Sequence, residues 1–182
     1  MNSRTAIQTW TGKYFDFLDP KAENICIEDI AHSLARICRY TGHCEDVCTV
    51  AQHCVEVSYM VAPAFAYEGL MHDAPEAYLG DVAKPQKLAL TAEGPGFQRL
   101  TDRIENLVAK VFDYTHPKSD EVGKADYEHM AMEHRDQMTK PLGQEWIGLH
   151  GIIVPPQAFI PWNAYYAERR FLERFTELKG GA

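Results

Sequence analysis

The sequence predicts an all-α fold, a helical bundle that follows a short N-terminal extended arm or hairpin. Apolar residues recur at helical spacing through most of the chain, residues that cap helices precede several of these segments, and glycine or proline ends them. The chain has 182 residues, of which 46% are hydrophobic and 24% are charged, as in an ordinary globular protein. Because no repeat, charge run or low-complexity linker divides it, residues 1–182 are predicted to form a single domain.

The N-terminal segment 6–20 alternates aromatic and polar residues around a Thr-Gly pair, which indicates a hairpin or an extended arm. The first helix is predicted to begin at Ile27, because apolar residues keep the helical period from there as far as Cys38. Two acidic residues lie in its first turn, where the helix dipole favours negative charge. Gly42 is expected to end this helix.

Further helices are predicted along the rest of the chain. Thr49 and Ser119 are the expected N-caps of two of them. Pro75 disfavours helical geometry at the residue before it, so the chain is expected to kink directly after the pair His72-Asp73. The predicted ranges are 49–61, 65–74, a short helix from Pro75 to Gly80, 97–113, 119–138 and 163–179.

The formal net charge of −8 argues against broad nucleic-acid binding, which needs a basic face. A small anionic ligand remains compatible with this charge, because a local group of cations can bind it. The first ten residues contain no apolar core of signal-peptide length, and no apolar stretch of the sequence approaches membrane-spanning length. We therefore expect a cytoplasmic protein that does not bind membranes, located in the host cytoplasm if a phage encodes it.

Five cysteines lie between residues 26 and 54, and in a cytoplasmic protein they are expected to be thiols. Several of them cluster with histidines, which raises a structural zinc site as an alternative. The spacing lacks the paired two-residue knuckles of such sites, so buried core thiols are favoured. The cluster consists of His43, Cys44, Cys48, His53 and Cys54.

The stretch LMHDAPEAYLGDVAKPQK, residues 70–87, carries the densest set of candidate functional groups. Its adjacent His72 and Asp73 offer a nitrogen and a carboxylate that suit a divalent metal ion of borderline softness. Catalytic metal sites draw ligands from several elements, and His53 and Asp126 lie on other predicted helices. Asp126 shares an apolar helix face, where a carboxylate costs free energy unless it is paired or bound to a cation.

Other groups in this stretch suit phosphate-ester hydrolysis, which needs a carboxylate for proton transfer and cations for phosphate. Glu76, four residues after His72, is the candidate proton relay. Lys84 and Lys87 are candidate phosphate ligands, and His43 is a further candidate for phosphate contact.

Each of these groups also has a structural interpretation. A lone core histidine such as His53 is commonly bonded to a backbone carbonyl. Glu76 and Asp81 could cap and flank a short helix, and exposed lysines usually serve solubility. His129 and His134 are expected to lie on a solvated helix face together with Glu128, Glu133 and Arg135.

Three segments, TVAQHCVE, LMHDAPEAYLGDVAKPQK and KADYEHM, occur in an order and at spacings that resemble the HD-domain phosphohydrolases. The resemblance spans residues 27–136 and is greatest to the 5'-deoxynucleotidases and the small phage dATP triphosphohydrolases. It implies an HD-domain helical bundle with one divalent metal ion. Zinc or cobalt is favoured, with manganese, nickel and magnesium as alternatives. The implied ligands are His53, His72, Asp73 and Asp126.

The resemblance also implies roles for residues around this ion. Asp81 matches a residue that meets the deoxyribose 3'-hydroxyl, and we group it with Glu76 as catalytic. Arg39 matches an arginine that contacts phosphate, and Tyr40 stands where the family has a tryptophan against the sugar. Pro85 matches a position that crowds the sugar in the phage enzymes.

The leading functional prediction is metal-dependent hydrolysis of dATP to deoxyadenosine and triphosphate, because two lysines and an arginine exceed what a monophosphate requires. The alternative is a 5'-deoxynucleotidase that releases phosphate from deoxynucleoside monophosphates. Hydrolysis of guanosine tetraphosphate ranks lower, because that group resembles HDxxED and Ala77 follows Glu76 here. A non-catalytic metal-binding regulatory module is a remote alternative. The exposed aromatic residues of the arm and the last helix predict a homo-oligomer.

Overall fold

The computed structural model describes residues 4–140 and 146–180, and helices account for most of them. A two-stranded sheet precedes the helices, so the predicted class, mostly helical with a short extended element, is confirmed. No helix in these two ranges is both long and apolar enough to cross a bilayer. The strands are β1 (Ala6–Gln8) and β2 (Tyr14–Asp16). The helices are α1 (Ile27–Leu34), α2 (Val50–Met60), α3 (Ala66–Met71), α4 (Glu76–Leu79), α5 (Lys84–Glu93), α6 (Gly96–Phe112), α7 (Asp120–Gln137) and α8 (Ala164–Gly180).

The N-terminal arm is an antiparallel hairpin in which Ala6 lies opposite Asp16. Gly12 adopts a φ of 84° in the connecting turn, a left-handed conformation that costs glycine little. Phe15 points into the core, where its ring stacks on Tyr78 at a centroid distance of 4.1 Å. The predicted hairpin is therefore confirmed, and a buried aromatic ring anchors it to the helices.

The first helix is shorter than the sequence predicts, because α1 ends at Leu34 and not near Gly42. The chain becomes extended at Cys38, which forms an isolated antiparallel bridge with Thr49. The backbone N–H of Arg39 continues this pairing by donating a hydrogen bond of 2.8 Å to the carbonyl oxygen of Cys48. Tertiary pairing thus overrides the apolar period in this segment and leads the chain into a tight turn in front of α2.

Both predicted helix caps are present. Thr49 Oγ1 accepts a hydrogen bond of 3.2 Å from the backbone N–H of Gln52 at the start of α2. Ser119 Oγ accepts one of 3.4 Å from the N–H of Val122 at the start of α7. These caps satisfy N–H groups that have no partner inside the helix, and they fix where the two helices begin.

Helix α2 lies at the centre of the fold and contacts α3, α7 and α8. The close approach of α3 depends on Gly69, because a Cβ there would lie 3.2 Å from the Cα of Ser58 on α2. A side chain at this position would push apart the two helices that lead to His53 and His72. The fully buried residues of the main core include Phe15, Ile30, Leu34, Leu70, Met71, Ile104 and Phe171.

Nothing in the apolar pattern of the sequence predicts α5, and the structure gives the reason. No residue of this helix is buried, and Leu88 is 65% exposed. A helix without a buried face leaves no hydrophobic period to detect. Its start is marked instead by Pro85, a residue that is well tolerated in the first helical turn.

Replacing Phe171 with alanine should lower the free energy of unfolding by about 3–5 kcal/mol, because this ring on α8 is fully buried in the main core. Tyr165 lies on the same helix and is 75% exposed, so Tyr165→Ala is the matched control and should cost less than about 0.5 kcal/mol. Urea denaturation followed by circular dichroism measures both. Equal costs would contradict the role of α8 in closing the core.

Candidate metal centre

The four predicted metal ligands come from three parts of the fold. His53 lies in the middle of α2, and Asp126 lies in α7, which packs against α2. His72 and Asp73 lie in the turn between α3 and α4, at the kink that Pro75 predicts. All four side chains are buried or nearly so.

The orientation of His72 is fixed by the helix that it ends. Its Nδ1 lies 2.8 Å from the backbone carbonyl oxygen of Gly69. Because a carbonyl oxygen only accepts, Nδ1 carries the proton and donates. Nε2 therefore points the other way, towards His53 Nε2 at 3.3 Å and Asp73 Oδ2 at 3.1 Å.

His53 presents Nε2 to the same point. This atom lies 3.1 Å from Asp126 Oδ1 and 3.7 Å from Asp73 Oδ2. Ligand atoms about 2.0–2.1 Å from one zinc ion are separated by roughly 3.0–3.5 Å, so these spacings fit a shared cation. The ligand atoms of His53, His72 and Asp73 all lie within 4.8 Å of one another. Asp126 stands beside this group and contacts it through His53.

The charges of this group favour ionised carboxylates. Burial alone would raise the pKa of Asp73, but the adjacent His72 imidazole holds it below its usual value. Burial would also raise the pKa of Asp126, and the hydrogen bond from His53 holds it well below its usual value. Two ionised carboxylates and two imidazoles that converge in a buried site are suitable ligands for a divalent metal ion.

A second buried layer lies behind His53. Its Nδ1 lies 3.0 Å from Nδ1 of His129 and 3.7 Å from Oε1 of Glu133, and both of these residues are fully buried. His129 Nε2 lies 2.6 Å from Oε2 of Glu56. Such outer partners fix the ring orientation of a metal-binding histidine. Ligand atoms of His53, His129 and Glu133 also lie within 4.8 Å of one another, so this layer is itself a possible cation site.

This layer also determines where protons lie. Burial would lower the pKa of His129, but Glu133 and Glu56 raise it to about 9. As a cation, His129 donates Nε2–H to Glu56, and its Nδ1–H faces both His53 Nδ1 at 3.0 Å and Glu133 Oε1 at 3.5 Å.

The same layer contacts the predicted substrate residues Arg39 and Tyr40. Arg39 is buried and donates from Nε to Glu133 Oε2 at 3.0 Å, and its Nη1 lies 3.7 Å from Asp73 Oδ2. Tyr40 donates its hydroxyl to the same Glu133 oxygen at 2.5 Å. Tyr40 and Thr41 both have positive φ values, 58° and 55°, in the turn that directs these side chains inward. Glu133 thus links this turn to His53.

The two predicted catalytic carboxylates lie beside the centre. Glu76, at the start of α4, is buried, and its Oε2 has no hydrogen-bond partner among the described residues. Burial raises the pKa of Glu76 well above its usual value, and the charges of Asp73 and Asp81 add to this effect. Burial also raises the pKa of Asp81, whereas Arg39 opposes the rise.

The remaining predicted substrate residues lie further out. Lys87 Nζ is 3.7 Å from Glu76 Oε1, so this lysine faces the centre. Lys84 is exposed and donates to the hydroxyl of Tyr127 at 2.9 Å, and Pro85 is exposed beside it. His43 is exposed at the end of the tight turn before α2.

Sequence reasoning missed four residues of the site. His129 and Glu133 were expected on a solvated face, and that expectation is wrong, because both are fully buried. Their spacing of four residues places them on one helix face, which was the available signal. Glu56 lies within reach of that face from α2. Lys118, which contacts Asp126 Oδ2 through its ammonium group, had no signal in the sequence.

The cysteines do not form the alternative zinc site. All five are free thiols, as predicted, and Cys48 and Cys54 are buried. Two of the thiols, those of Cys38 and Cys44, contact each other with a sulfur–sulfur distance of 3.4 Å. Among the described residues, the groups that could hold a metal ion contain histidines and carboxylates and no cysteine.

The fold and the site define a mostly helical protein with buried histidine and carboxylate groups that could bind a metal ion. No protein-family model matches the chain. It is 36% identical over 173 residues to the uncharacterized protein YfdR of Escherichia coli, an alignment that covers 94% of each protein. The chain therefore belongs to the same family as YfdR. An uncharacterized protein of Rhodobacter capsulatus is 38% identical over 103 residues, which cover 52% of this chain and 51% of that protein.

Replacing His72 with alanine should abolish stoichiometric binding of a divalent metal ion, because it removes a nitrogen held within 3.3 Å of two other ligand atoms. Exposed His150 is the matched control, and His150→Ala should leave binding unchanged. Titration with cobalt(II), read by visible absorption, measures the stoichiometry. Equal binding by the two variants would place the metal elsewhere.

Replacing Glu76 with glutamine should stabilise the metal-free protein, and increasingly so as the pH rises. Because the pKa of Glu76 is raised in the folded state, the contribution of Glu76 to stability is greatest below the unfolded pKa of about 4.5 and is lost as the pH rises through the folded value. The loss approaches about 1.4 kcal/mol per pH unit for one proton. Urea denaturation between about pH 5 and 8 with a chelator present measures it. A constant difference between the two proteins over this range would contradict the prediction.

Proposed function

We propose that this protein is a metal-dependent phosphohydrolase that acts on deoxynucleotides, with dATP hydrolysis to deoxyadenosine and triphosphate as the favoured reaction. One observation carries the proposal. Two imidazoles and a carboxylate from α2 and the turn after α3 converge within 4.8 Å, and a second carboxylate lies beside them. The buried carboxyl group of Glu76 is adjacent, and its Oε2 has no hydrogen-bond partner among the described residues. A metal site that serves only structure has no need of that last group.

A divalent ion bound by this group would polarise a phosphoryl oxygen and acidify a water molecule at neutral pH. The residues of the chain supply the other requirements. His53, His72, Asp73 and Asp126 fix the position, and the layer formed by His129, Glu133 and Glu56 holds His53 in place. Preorganised ligands of this kind lower the cost of reaching the transition state.

Glu76 is the residue that handles the proton. Its raised pKa suits a group that takes a proton from attacking water and passes it to the leaving oxygen near neutral pH. Lys87 lies 3.7 Å from its other oxygen, so an ammonium group is close to the expected position of the phosphate. Asp81, with a pKa also raised by burial, stands nearby to bind a sugar hydroxyl.

The number of cations around the centre favours a substrate with several phosphates. Arg39 faces Asp73, Lys87 faces Glu76, and Lys118 contacts Asp126. Three positive groups around one buried site match the charge of a triphosphate better than that of a monophosphate. Hydrolysis of dATP to triphosphate is therefore favoured over the 5'-deoxynucleotidase reaction.

Incubation of the purified protein with each deoxynucleoside mono-, di- and triphosphate and each ribonucleotide tests the proposal. The panel is repeated with zinc, cobalt, manganese and magnesium, and the released phosphate species are separated by ion-exchange chromatography. Triphosphate from dATP is the expected product. Orthophosphate released only from monophosphates would replace the favoured reaction with the 5'-deoxynucleotidase, and no product under any condition would favour a non-catalytic metal-binding module.

Replacing Glu76 with glutamine should lower turnover by a factor of about 10²–10⁴ while metal stoichiometry stays unchanged, because the amide cannot transfer the proton. Glu93→Gln, on the exposed face of α5, is the control and should retain wild-type turnover. Steady-state kinetics and metal analysis of both variants make the measurement. An unchanged rate for Glu76→Gln would remove Glu76 from the mechanism.

A further inference from the structure

Lys118 occupies a position that the metal-ligand pattern does not explain. Its ammonium group contacts Oδ2 of Asp126, while the other oxygen of that carboxylate lies 3.1 Å from His53 Nε2. One carboxylate is therefore shared between the histidine side of the centre and a lysine. In the described parts of the chain, no other lysine contacts one of the four predicted ligands this closely.

The backbone holds Lys118 in this place. It directly precedes Ser119, the N-cap of α7, and the backbone N–H of Ser119 donates to Oε1 of Glu68 on α3. Asp126 follows two turns into the same helix. The base of the lysine side chain is thus fixed relative to Asp126, while its flexible stem and 36% exposure leave the ammonium group able to move.

The position of Asp126 is the second observation. His53, His72 and Asp73 place their ligand atoms within 4.8 Å of one another, and Asp126 lies outside this group, with one oxygen on the lysine. A carboxylate that binds a divalent ion turns towards the ion. The contact with Lys118 gives this buried carboxylate a positive partner, so a divalent ion that binds Asp126 meets a competing cation there.

We propose that Lys118 is an exchangeable counter-ion of this centre. Its ammonium group neutralises Asp126 when no divalent ion is bound, leaves Asp126 when the ion binds, and then binds a phosphate oxygen of the substrate. The last step rests on the proposed function, whereas the exchange on Asp126 does not. Because the lysine and the ion compete for one carboxylate, Lys118 lowers the metal affinity of the protein.

The other cations near the centre cannot take this role. Arg39 is buried and bonded to Glu133, so its guanidinium group is held in place. Lys87 faces Glu76, which is a predicted catalytic group and not a predicted ligand. Lys84 donates to Tyr127. Of these four, Lys118 makes the shortest contact with a predicted metal ligand, and its side chain is partly exposed, whereas Arg39 is buried at 3.7 Å from Asp73.

Metal affinity tests the exchange without any need for catalysis. Lys118→Met should tighten cobalt(II) binding by roughly tenfold to a hundredfold, the effect of losing a hydrogen bond between charged groups. Lys124→Met is the matched control, because it also removes one lysine charge but at a residue far more exposed than Lys118. Lys124 lies on α7, is 72% exposed and is paired with Glu128. The affinity of this control should equal that of the wild type. Isothermal titration calorimetry of the metal-free proteins makes the comparison.

Two further variants keep this test decisive. Lys118→Gln should act in the same direction as Lys118→Met, and circular dichroism confirms that each variant is folded. In the Asp126→Asn background, Lys118→Met should no longer change the affinity, because the shared carboxylate is gone. Unchanged or weaker cobalt binding by both folded Lys118 variants overturns the exchange. If Lys118→Met tightens cobalt binding equally in the Asp126→Asn background, the exchange is also overturned. The gain in affinity would then come from the lost positive charge and not from competition for the carboxylate of Asp126.

The phosphate step has its own probe. Inorganic triphosphate should bind the cobalt-loaded wild type and Lys124→Met with the same affinity, and the cobalt-loaded Lys118→Met at least about tenfold more weakly. Equal affinity for all three proteins overturns this step. Neither the cobalt affinity nor the triphosphate affinity depends on hydrolysis. A protein that hydrolyses no nucleotide would therefore contradict the proposed function, while both affinity measurements would still test the role of Lys118.

Discussion

The structure depends on the convergence of negative charge and imidazole nitrogens at one buried point. Asp73 and Asp126 approach the same pair of histidines, and burial opposes their ionisation while the histidines support it. Such a group is expensive to fold without a cation. Helix packing, the kink before α4 and the Lys118 contact all act at this point. The deeper layer behind His53 adds further charges, so the centre extends through the middle of the bundle and is not confined to its surface.

Close packing between α2 and α3 makes this convergence possible. Gly69 permits the two helix backbones to approach, and its carbonyl oxygen also fixes the proton of His72 on Nδ1. One residue therefore sets both the distance between the two histidines and the nitrogen that faces the ligand group. This coupling explains why a small residue stands one turn before the His-Asp pair, at a position that carries no reactive group.

Local signals in the sequence predicted much of the fold and the first layer of the centre. The caps at Thr49 and Ser119 and the hairpin are confirmed, and the helix breaks between Met71 and Glu76, slightly before the expected kink. The predicted end of the first helix was wrong, because the pairing of Cys38 with Thr49 overrides helical periodicity in this segment. His129 and Glu133 were missed for a similar reason. Polar residues on a helix resemble a solvated face until a second helix supplies charges for them.

Helix α5 carries predicted substrate-binding residues but contributes no side chain to the core. It carries Lys84, Pro85 and Lys87, yet it buries no side chain, and its main packing partner is α6. Mutations along it therefore place little burden on folding, while they change the charges that an incoming molecule meets. Selection can reshape the charges on this helix, in nature or in a directed-evolution library, without disturbing the buried groups that could bind a metal ion.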